Sequence, residues 1–358
     1  MKILRVLALL CISLCFSLTV CAQETPRQSL LALSKRDHTL AIVDPSSLKV
    51  IARVPVGNDP HEVIASSDGS TAYVSNYGFG AYNTLAVIDL VHQRALPSID
   101  LGPLRGPHGL AFVDDKVWFT AEAAKAIGRY DPATQKVDWI LGTGQNRTHM
   151  VYVTPDLQSI YTTNVSSGTV SIIEKVKGQA GGGPPPPMPG GPGGPGGPPP
   201  GPPPGPPGGD WNETVVPVGK GSEGFDVSPS GKEIWVANAQ DGTVSIIDRA
   251  SKTVTQTLAA NVQGANRLKF TPDGQLVFIS SLRQPEVTVY DAATRKEVKR
   301  IEVGRGAAGI LMQPDGERVY VACSPDNYVA VIDMKTLAVL GHIDVGPEPD
   351  GLAWSVRR

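Results

Sequence analysis

Seven times along this chain a short apolar segment ends on an acidic residue. The segments are LAIVD at Asp44, LAVID at Asp89, IGRYD at Asp131, VSIIE at Glu174, VSIID at Asp248, VTVYD at Asp291 and VAVID at Asp333. Their spacings are 45, 42, 43, 74, 43 and 42 residues. Glycines 57, 102, 144, 304 and 346 each follow such an acid by 13 residues. The long gap contains an insertion of 32 residues at 178–209, and without it the spacing there is again 42. Self-similarity at one period over a whole chain leaves few architectures open.

Within each unit the pattern is short period-two strands broken by turn residues. Gly231, Pro272-Asp273-Gly274 and Pro314-Asp315-Gly316 mark hairpins. EIWVAN, LVFISS and RVYVAC read as second strands, GTVSIID as a third and KTVTQTL as a fourth. Four antiparallel strands per unit make one propeller blade, and no helical period competes. The expected fold is all-β: a seven-bladed β-propeller of four-stranded antiparallel blades. The chain begins, after its leader, with SLLALSKRDHTLAIVD, which supplies a second and a third strand but no first. It ends with DGLAWSV, a first strand with nothing after it. Pairing of the two closes the ring and removes open sheet edges.

Two segments stand outside the repeat. Residues 1–22 read as a signal peptide: Lys2 and Arg5, then a run of about 14 mostly apolar residues, then small residues before Gln23. This implies export to the periplasm or beyond. Leu18-Thr19-Val20-Cys21 is close to a lipobox, so lipidation at Cys21 is the second reading. The insertion at 178–209, with its GGGPPPP and GPPPGPP runs, cannot build a core and reads as a disordered surface loop between a third and a fourth strand. Past the leader the only cysteine is Cys323, in the strand end VYVACS, and it reads as a small buried residue. Without Lys2 and Arg5 the chain carries 30 basic and 34 acidic residues, so nucleic acid is disfavoured as a partner. No segment past the leader is long and apolar enough for a membrane helix. The chain reads as a monomer.

The units resemble the YVTN family of bacterial β-propellers, which includes exported YncE-like proteins. AYVSN at 72–76, IYTTN at 160–164 and IWVAN at 234–238 carry the resemblance, with SPSG, TPDG and QPDG in the same units. It covers essentially the whole chain past the leader except the insertion. The resemblance implies a repeat fold and a binding role, and it names no reaction.

Aligning the innermost strands gives PHEVIA, PHGLAF, THMVYV, SEGFDV, ANRLKF, AAGILM and PDGLAW. The second residue in each is His61, His108, His149, Glu223, Asn266, Ala308 and Asp350. Innermost strands line the central channel, so these side chains are expected around one mouth. Three imidazoles and a carboxylate suit a divalent transition metal such as zinc, manganese, iron or copper, which makes His61, His108, His149 and Glu223 the metal-ligand candidates. Arg105, Arg147, Arg267 and Asp350 are the candidates for holding a ligand, with Lys220 and Arg305 in the same loops. The basic members suit a carboxylate or phosphate. His38, His92 and His342 read as surface residues. Asn76, Asn164 and Asn238 read as turn-shaping residues that bond nearby backbone. Trp118, Trp235 and Trp354 read as packing between blades.

HExxH, CxxC and CxxCH motifs are absent. Two functions remain in play. One is a non-enzymatic module that binds a small molecule or a protein at the channel mouth. The other is a metal-dependent enzyme, similar in outline to propeller lactonases and streptogramin lyases, with His149 and Glu223 on the base side. A copper or redox protein is a third reading, weakened by missing thiolates.

Overall fold

The structure, a computed structural model, describes residues 24–176 and 210–358. The expected leader, Cys21 and the insertion at 178–209 lie outside the described residues. Seven four-stranded antiparallel sheets stand around one axis. Blade 1 joins the two ends of the chain. Pro349–Val356 is its innermost strand and pairs with Gln28–Ser34, followed outward by Thr39–Asp44 and Lys49–Pro55. The innermost strands of blades 2 to 7 are Pro60–Ala65, Pro107–Val113, Thr148–Val153, Ser222–Val227, Ala265–Phe270 and Ala307–Met312. The ring therefore closes as the chain ends require. Among the described residues no helix is long and apolar enough to cross a membrane.

Second and third strands are apolar on both faces because each lies between two neighbouring blades. In blade 1, Leu31, Leu33, Leu40 and Ile42 pack against Val63, Val74 and Ile88 of blade 2. Trp235 of blade 5 meets Leu268 and Phe270 of blade 6, and Trp118 of blade 3 meets Val151 and Val153 of blade 4. Trp354 lies partly buried against Tyr320 of blade 7. The tryptophans thus sit between blades. Fourth strands form the outer rim, and Lys136–Gly142 alternates exposed with half-buried residues along its length. That alternation is the period-two signature of a strand with one wet face.

The asparagines that end second strands do two different jobs. Asn76 donates to the carbonyls of Val56 (2.9 Å) and Asn58 (3.1 Å), which fixes the loop entering blade 2. Asn164 and Asn238 donate instead to hydroxyls of the neighbouring third strand, Thr169 with Ser171 and Thr243 with Ser245. Blade 2 has Ala86 where blades 4 and 5 have Ser171 and Ser245, so Asn76 lacks that second hydroxyl. His38, His92 and His342 are exposed.

Cys323 is fully buried, its sulfur 3.3 Å from the Val303 carbonyl, and burial pushes its thiol up to about 12. An aromatic disulfide reagent is therefore expected to leave Cys323 untouched in the native protein and to modify it on denaturation. Rapid modification of the native protein, read by absorbance, would contradict this burial.

Candidate metal centre at the channel mouth

In every blade the innermost strand bulges near its start. Two of its residues oppose one residue of the second strand, as His61 and Glu62 do between the pairs Pro60–Asn76 and Val63–Val74. The same shift occurs in the other six blades. The first bulged residues are His61, His108, His149, Glu223, Asn266, Ala308 and Asp350. A bulge re-aims a side chain, and here it gives these side chains a setting that a regular ladder would not.

The bulge frees a backbone N–H, and a second-strand hydroxyl takes it in four blades. Glu62 N donates to Ser75 Oγ, Gly109 N to Thr120 Oγ1, Met150 N to Thr163 Oγ1 and Arg267 N to Ser280 Oγ, at 2.9–3.3 Å. Thr120 in turn donates to the His149 carbonyl at 2.6 Å, which ties blade 3 to blade 4 at the site. Gly109 is needed beside it: a Cβ there would stand 2.5 Å from the His149 carbonyl oxygen.

The loop entering each blade turns through a left-handed residue two positions before the bulged one. Four blades use glycine there, at Gly106, Gly221, Gly264 and Gly306. Blades 2, 4 and 1 use Asp59, Arg147 and Glu348, with φ near 50°. A side chain in that conformation costs about 1 kcal/mol or more.

The structure brings His61, His108, His149 and Glu223 together. His61 and His108 have ring centroids 5.1 Å apart, and the His108 and His149 centroids lie 3.9 Å apart with the rings tilted by 36°. His149 is clamped between two carboxylates. Its Nδ1 bonds Glu122 Oε1, and its Nε2 lies 2.9 Å from Glu223 Oε2, out of line for a hydrogen bond. Glu122 also accepts from the Tyr77 hydroxyl at 2.5 Å. Arg147 reaches Glu122 at 3.4 Å and Glu223 at 3.7 Å. His61 lies between Asp59 (3.1 Å) and Asp350 (3.5 Å), and Asp350 bonds Lys35 at 3.0 Å. Arg267 pairs with Glu62. Donor atoms of His108, Glu122 and His149 lie within 4.8 Å of one another, and all three residues are buried.

The fields at these groups differ. Burial, then the positive charge of His149, His61, Arg267 and Arg147, pushes His108 well below 6.5, so it is neutral. Burial also opposes charge on His149, but Glu223 and Glu122 outweigh it and raise His149 above 6.5. Burial would raise Glu223, yet His149, Arg147 and Arg267 hold it at about 2. Glu122 is lowered against its burial by His149 and Tyr77. The neutral His108 Nδ1 is buried with no hydrogen-bond partner. An orphaned buried ring nitrogen calls for an explanation.

The ligand-holding candidates divide. Arg147, Arg267 and Asp350 join the cluster. Arg105 does not: it is exposed and donates to the Ala81 carbonyl at 2.9 Å, bracing a loop. Arg305 pairs with Asp326 on the rim, and the Lys220 backbone N–H bonds Asp241. Asn266 donates to the Ala308 carbonyl. Glu122, Tyr77 and Lys35 escaped the sequence reading. They share one phase, the residue just after the second strand, filled by Lys35, Tyr77, Glu122, Val165, Ala239, Leu282 and Ser324 around the ring. Aligning that phase exposes three polar residues beside the histidine blades.

The fold and this mouth define a seven-bladed propeller with a buried, strongly charged imidazole–carboxylate centre. Residues 210–317 match the Cytochrome D1 heme domain family. A protein of unknown function from Desulfotomaculum acetoxidans superposes with a TM-score of 0.71 at 12% identity, over 92% of this chain and 99% of that one. A Bacteroides uniformis protein provisionally named a 6-phosphogluconolactonase gives 0.68 at 13%, over 92% and 100%. Dihydro-heme d1 dehydrogenase in complex with DHE gives 0.61 at 14%, over 91% and 65%. No curated protein matches the chain. These likenesses establish the propeller fold, with lactonase-like and haem-related neighbours.

Proposed function

We propose that this chain is an exported binding module of the YVTN propeller type whose channel mouth holds a divalent transition metal through His108, Glu122 and His149. One observation carries the reading: two imidazoles and a carboxylate converge at a buried point, and each imidazole has a buried ring nitrogen without a hydrogen-bond partner, His108 Nδ1 and His149 Nε2. Two His and one carboxylate, with a further position open, is a donor set that zinc and non-haem iron both take. Charge supports it. The carboxylates of Asp59, Glu62, Glu122, Glu223 and Asp350 face the cations Lys35, Arg147 and Arg267. With neutral imidazoles the mouth is two positive charges short, which one divalent ion supplies. In its absence a proton on His149 supplies one of them.

The test is metal content after loading with zinc or manganese and gel filtration. The expected result is one equivalent bound. His108→Ala or Glu122→Gln should weaken binding by about 100-fold or more, since even losing an outer partner of a ligand can cost that much. Substoichiometric metal in the loaded parent chain, or equal binding in both variants, would sink the proposal.

Residues 210–317, the span of the Cytochrome D1 match, contain neither histidine nor cysteine, so that segment supplies no imidazole or thiolate ligand. An imidazole ligand for a haem at this mouth would come from His61, His108 or His149. A second reading rests on the Glu122–His149–Glu223 clamp, which can hold or pass a proton beside the metal position. It makes the site a hydrolase or lyase centre. Turnover of a simple lactone by the zinc-loaded chain, lost in His149→Phe, would favour that reading over pure binding.

A further inference from the structure

The channel mouth has an outer wall that the metal ligands do not use. After the second strand of blade 2 the chain makes a tight turn, Gly78–Gly80, in which Gly78, Phe79 and Gly80 all have positive φ. A bulky aromatic in that conformation is uncommon and strained. Phe79 is nevertheless 87% exposed, so burial within this chain does not repay the strain. The turn is also closely built. Asp59 accepts from the Gly78 N–H at 2.8 Å, a Cβ on Gly78 would strike the Tyr82 ring at 2.4 Å, and Gly106 donates to the Tyr82 carbonyl at 2.7 Å. Arg105 braces the same loop through Ala81. The loop is thus fixed by contacts that hold Phe79 out over the mouth.

A cavity of about 350 Å³ opens beside it, lined by Tyr77, Phe79, Gly80, Glu122, Ala123 and Arg147. Ligand pockets span roughly 300–1,000 Å³, so this one suits a single ring with a small substituent. Its two walls differ. Tyr77 and Phe79 give an aromatic side, their rings 5.6 Å apart. The same lining holds Arg147, another strained residue of the mouth, which has a left-handed φ where four other blades have glycine. Its side chain is 41% exposed, whereas that of Glu122 is 4% exposed. An entering ligand therefore meets the guanidinium before either carboxylate. The contacts of Arg147 to Glu122 (3.4 Å) and Glu223 (3.7 Å) are long. Charge-assisted pairs close to about 2.7–2.9 Å when well made, so the guanidinium is held loosely.

From this geometry we infer that the pocket between Phe79 and Arg147 takes a small aryl carboxylate, its ring against Phe79 and Tyr77 and its carboxylate on Arg147. The inference rests on the mouth being the binding face, and it names the class of ligand that face takes. The negative balance of the mouth opposes an anion in the metal-free protein, so binding is expected to be tighter in the zinc-loaded sample. A divalent ion beside Glu122 and Glu223 would draw those carboxylates off Arg147 and strengthen the same contact.

The test is calorimetric titration of the full chain with phenylacetate, acetate and phenethylamine, on metal-free and zinc-loaded samples whose metal content is measured. Phenylacetate is expected to bind about tenfold or more tighter than acetate, the scale of one good aromatic contact. Phenethylamine, with the opposite charge, is expected not to bind. Phe79→Ala, at an exposed position, should lower phenylacetate affinity about tenfold and leave acetate unchanged. Arg147→Gly, which restores the residue type of four other blades, should lower both carboxylates by about tenfold or more. Equal binding of acetate and phenylacetate, no effect of Phe79→Ala, or preference for the amine would overturn the inference. Phenylacetate binding in a sample that takes up no metal would uphold the pocket and reject the metal centre. Metal uptake without phenylacetate binding in either sample would do the reverse.

Discussion

Alanine at His149 is expected to destabilise the metal-free protein by about 3–5 kcal/mol, the cost of removing one partner from a buried charged pair. His149 stands between Glu122 and Glu223, and both it and Glu122 are almost completely buried. Without the imidazolium, Glu122 keeps Tyr77 and a long contact to Arg147. Glu223 keeps only the distant Arg147 at 3.7 Å among direct ion partners. Two desolvated carboxylates then face each other across the vacated ring. Lost volume contributes as well, so a second variant separates the causes. His149→Phe keeps a ring and loses the charge; if charge dominates, it costs about as much as alanine. The double variant His149→Ala/Glu122→Gln removes one of the stranded charges and should recover part of the loss, a coupling of roughly 0.5–3 kcal/mol. Urea denaturation followed by tryptophan fluorescence measures all three. A loss below about 0.5 kcal/mol for His149→Ala, the level of an ordinary surface change, would show that the clamp carries no stabilising charge.

The fold was legible because a propeller repeats its instructions. The acid that ends each third strand, the apolar runs buried on both faces and the incomplete first and last units each point to the same closed ring, and Gln28–Ser34 pairs with Pro349–Val356 accordingly. The histidine phase was legible for the same reason: a position defined seven times has a place in the ring. What the repeat does not state is where side chains point. Asp350 and Lys35 come from opposite ends of the chain and meet at 3.0 Å only because the ring closes. Glu122 reads locally as an ordinary turn residue after WFTA, and its role appears only beside His149 of the next blade. Arg105 occupies the same loops as Arg147, but sits one position before the left-handed residue, here Gly106, so it braces a loop instead of facing the mouth. The bulge explains the remaining difference. It displaces the paired register at Pro60, Pro107 and Thr148, a detail set by backbone pairing and the close approach of the next blade's carbonyl.

The stability of the metal-free protein is expected to peak near pH 6.5, with two neighbouring histidines controlling opposite limbs. His108 has its folded value pushed well below 6.5 by burial and neighbouring cations, while His149 has its own raised above 6.5 by Glu223 and Glu122 against burial. Below pH 6.5 the unfolded chain protonates both rings and the folded chain only His149. The unfolded state then binds one more proton, so stability falls as pH falls. Above pH 6.5 the unfolded chain has lost both protons and the folded chain keeps the one on His149. The folded state now binds one more, so stability falls as pH rises, until His149 itself titrates. Each limb should approach one proton's worth, about 1.4 kcal/mol per pH unit. Under more acidic conditions the carboxylates add to the same trend, because the stability that comes from holding Glu223 at about 2 is lost as pH drops from 4.5 toward that value. Two variants assign the limbs. His108→Gln removes the group that the unfolded state alone protonates and should flatten the limb from pH 6.5 down to about 5. His149→Phe removes the group that the folded state alone keeps protonated and should flatten the limb above pH 6.5. Urea midpoints collected across this range in the presence of a chelator provide the curve. A single monotonic slope through pH 6.5, or the same curve in both variants, would mean that the two rings share one protonation state. The neutral His108 and the charged His149 share one buried cluster, in which His108 Nδ1 has no hydrogen-bond partner and His149 lies between two carboxylates. Zinc added in place of the chelator displaces the proton from His149, so the alkaline limb should flatten in the loaded parent chain as it does in His149→Phe.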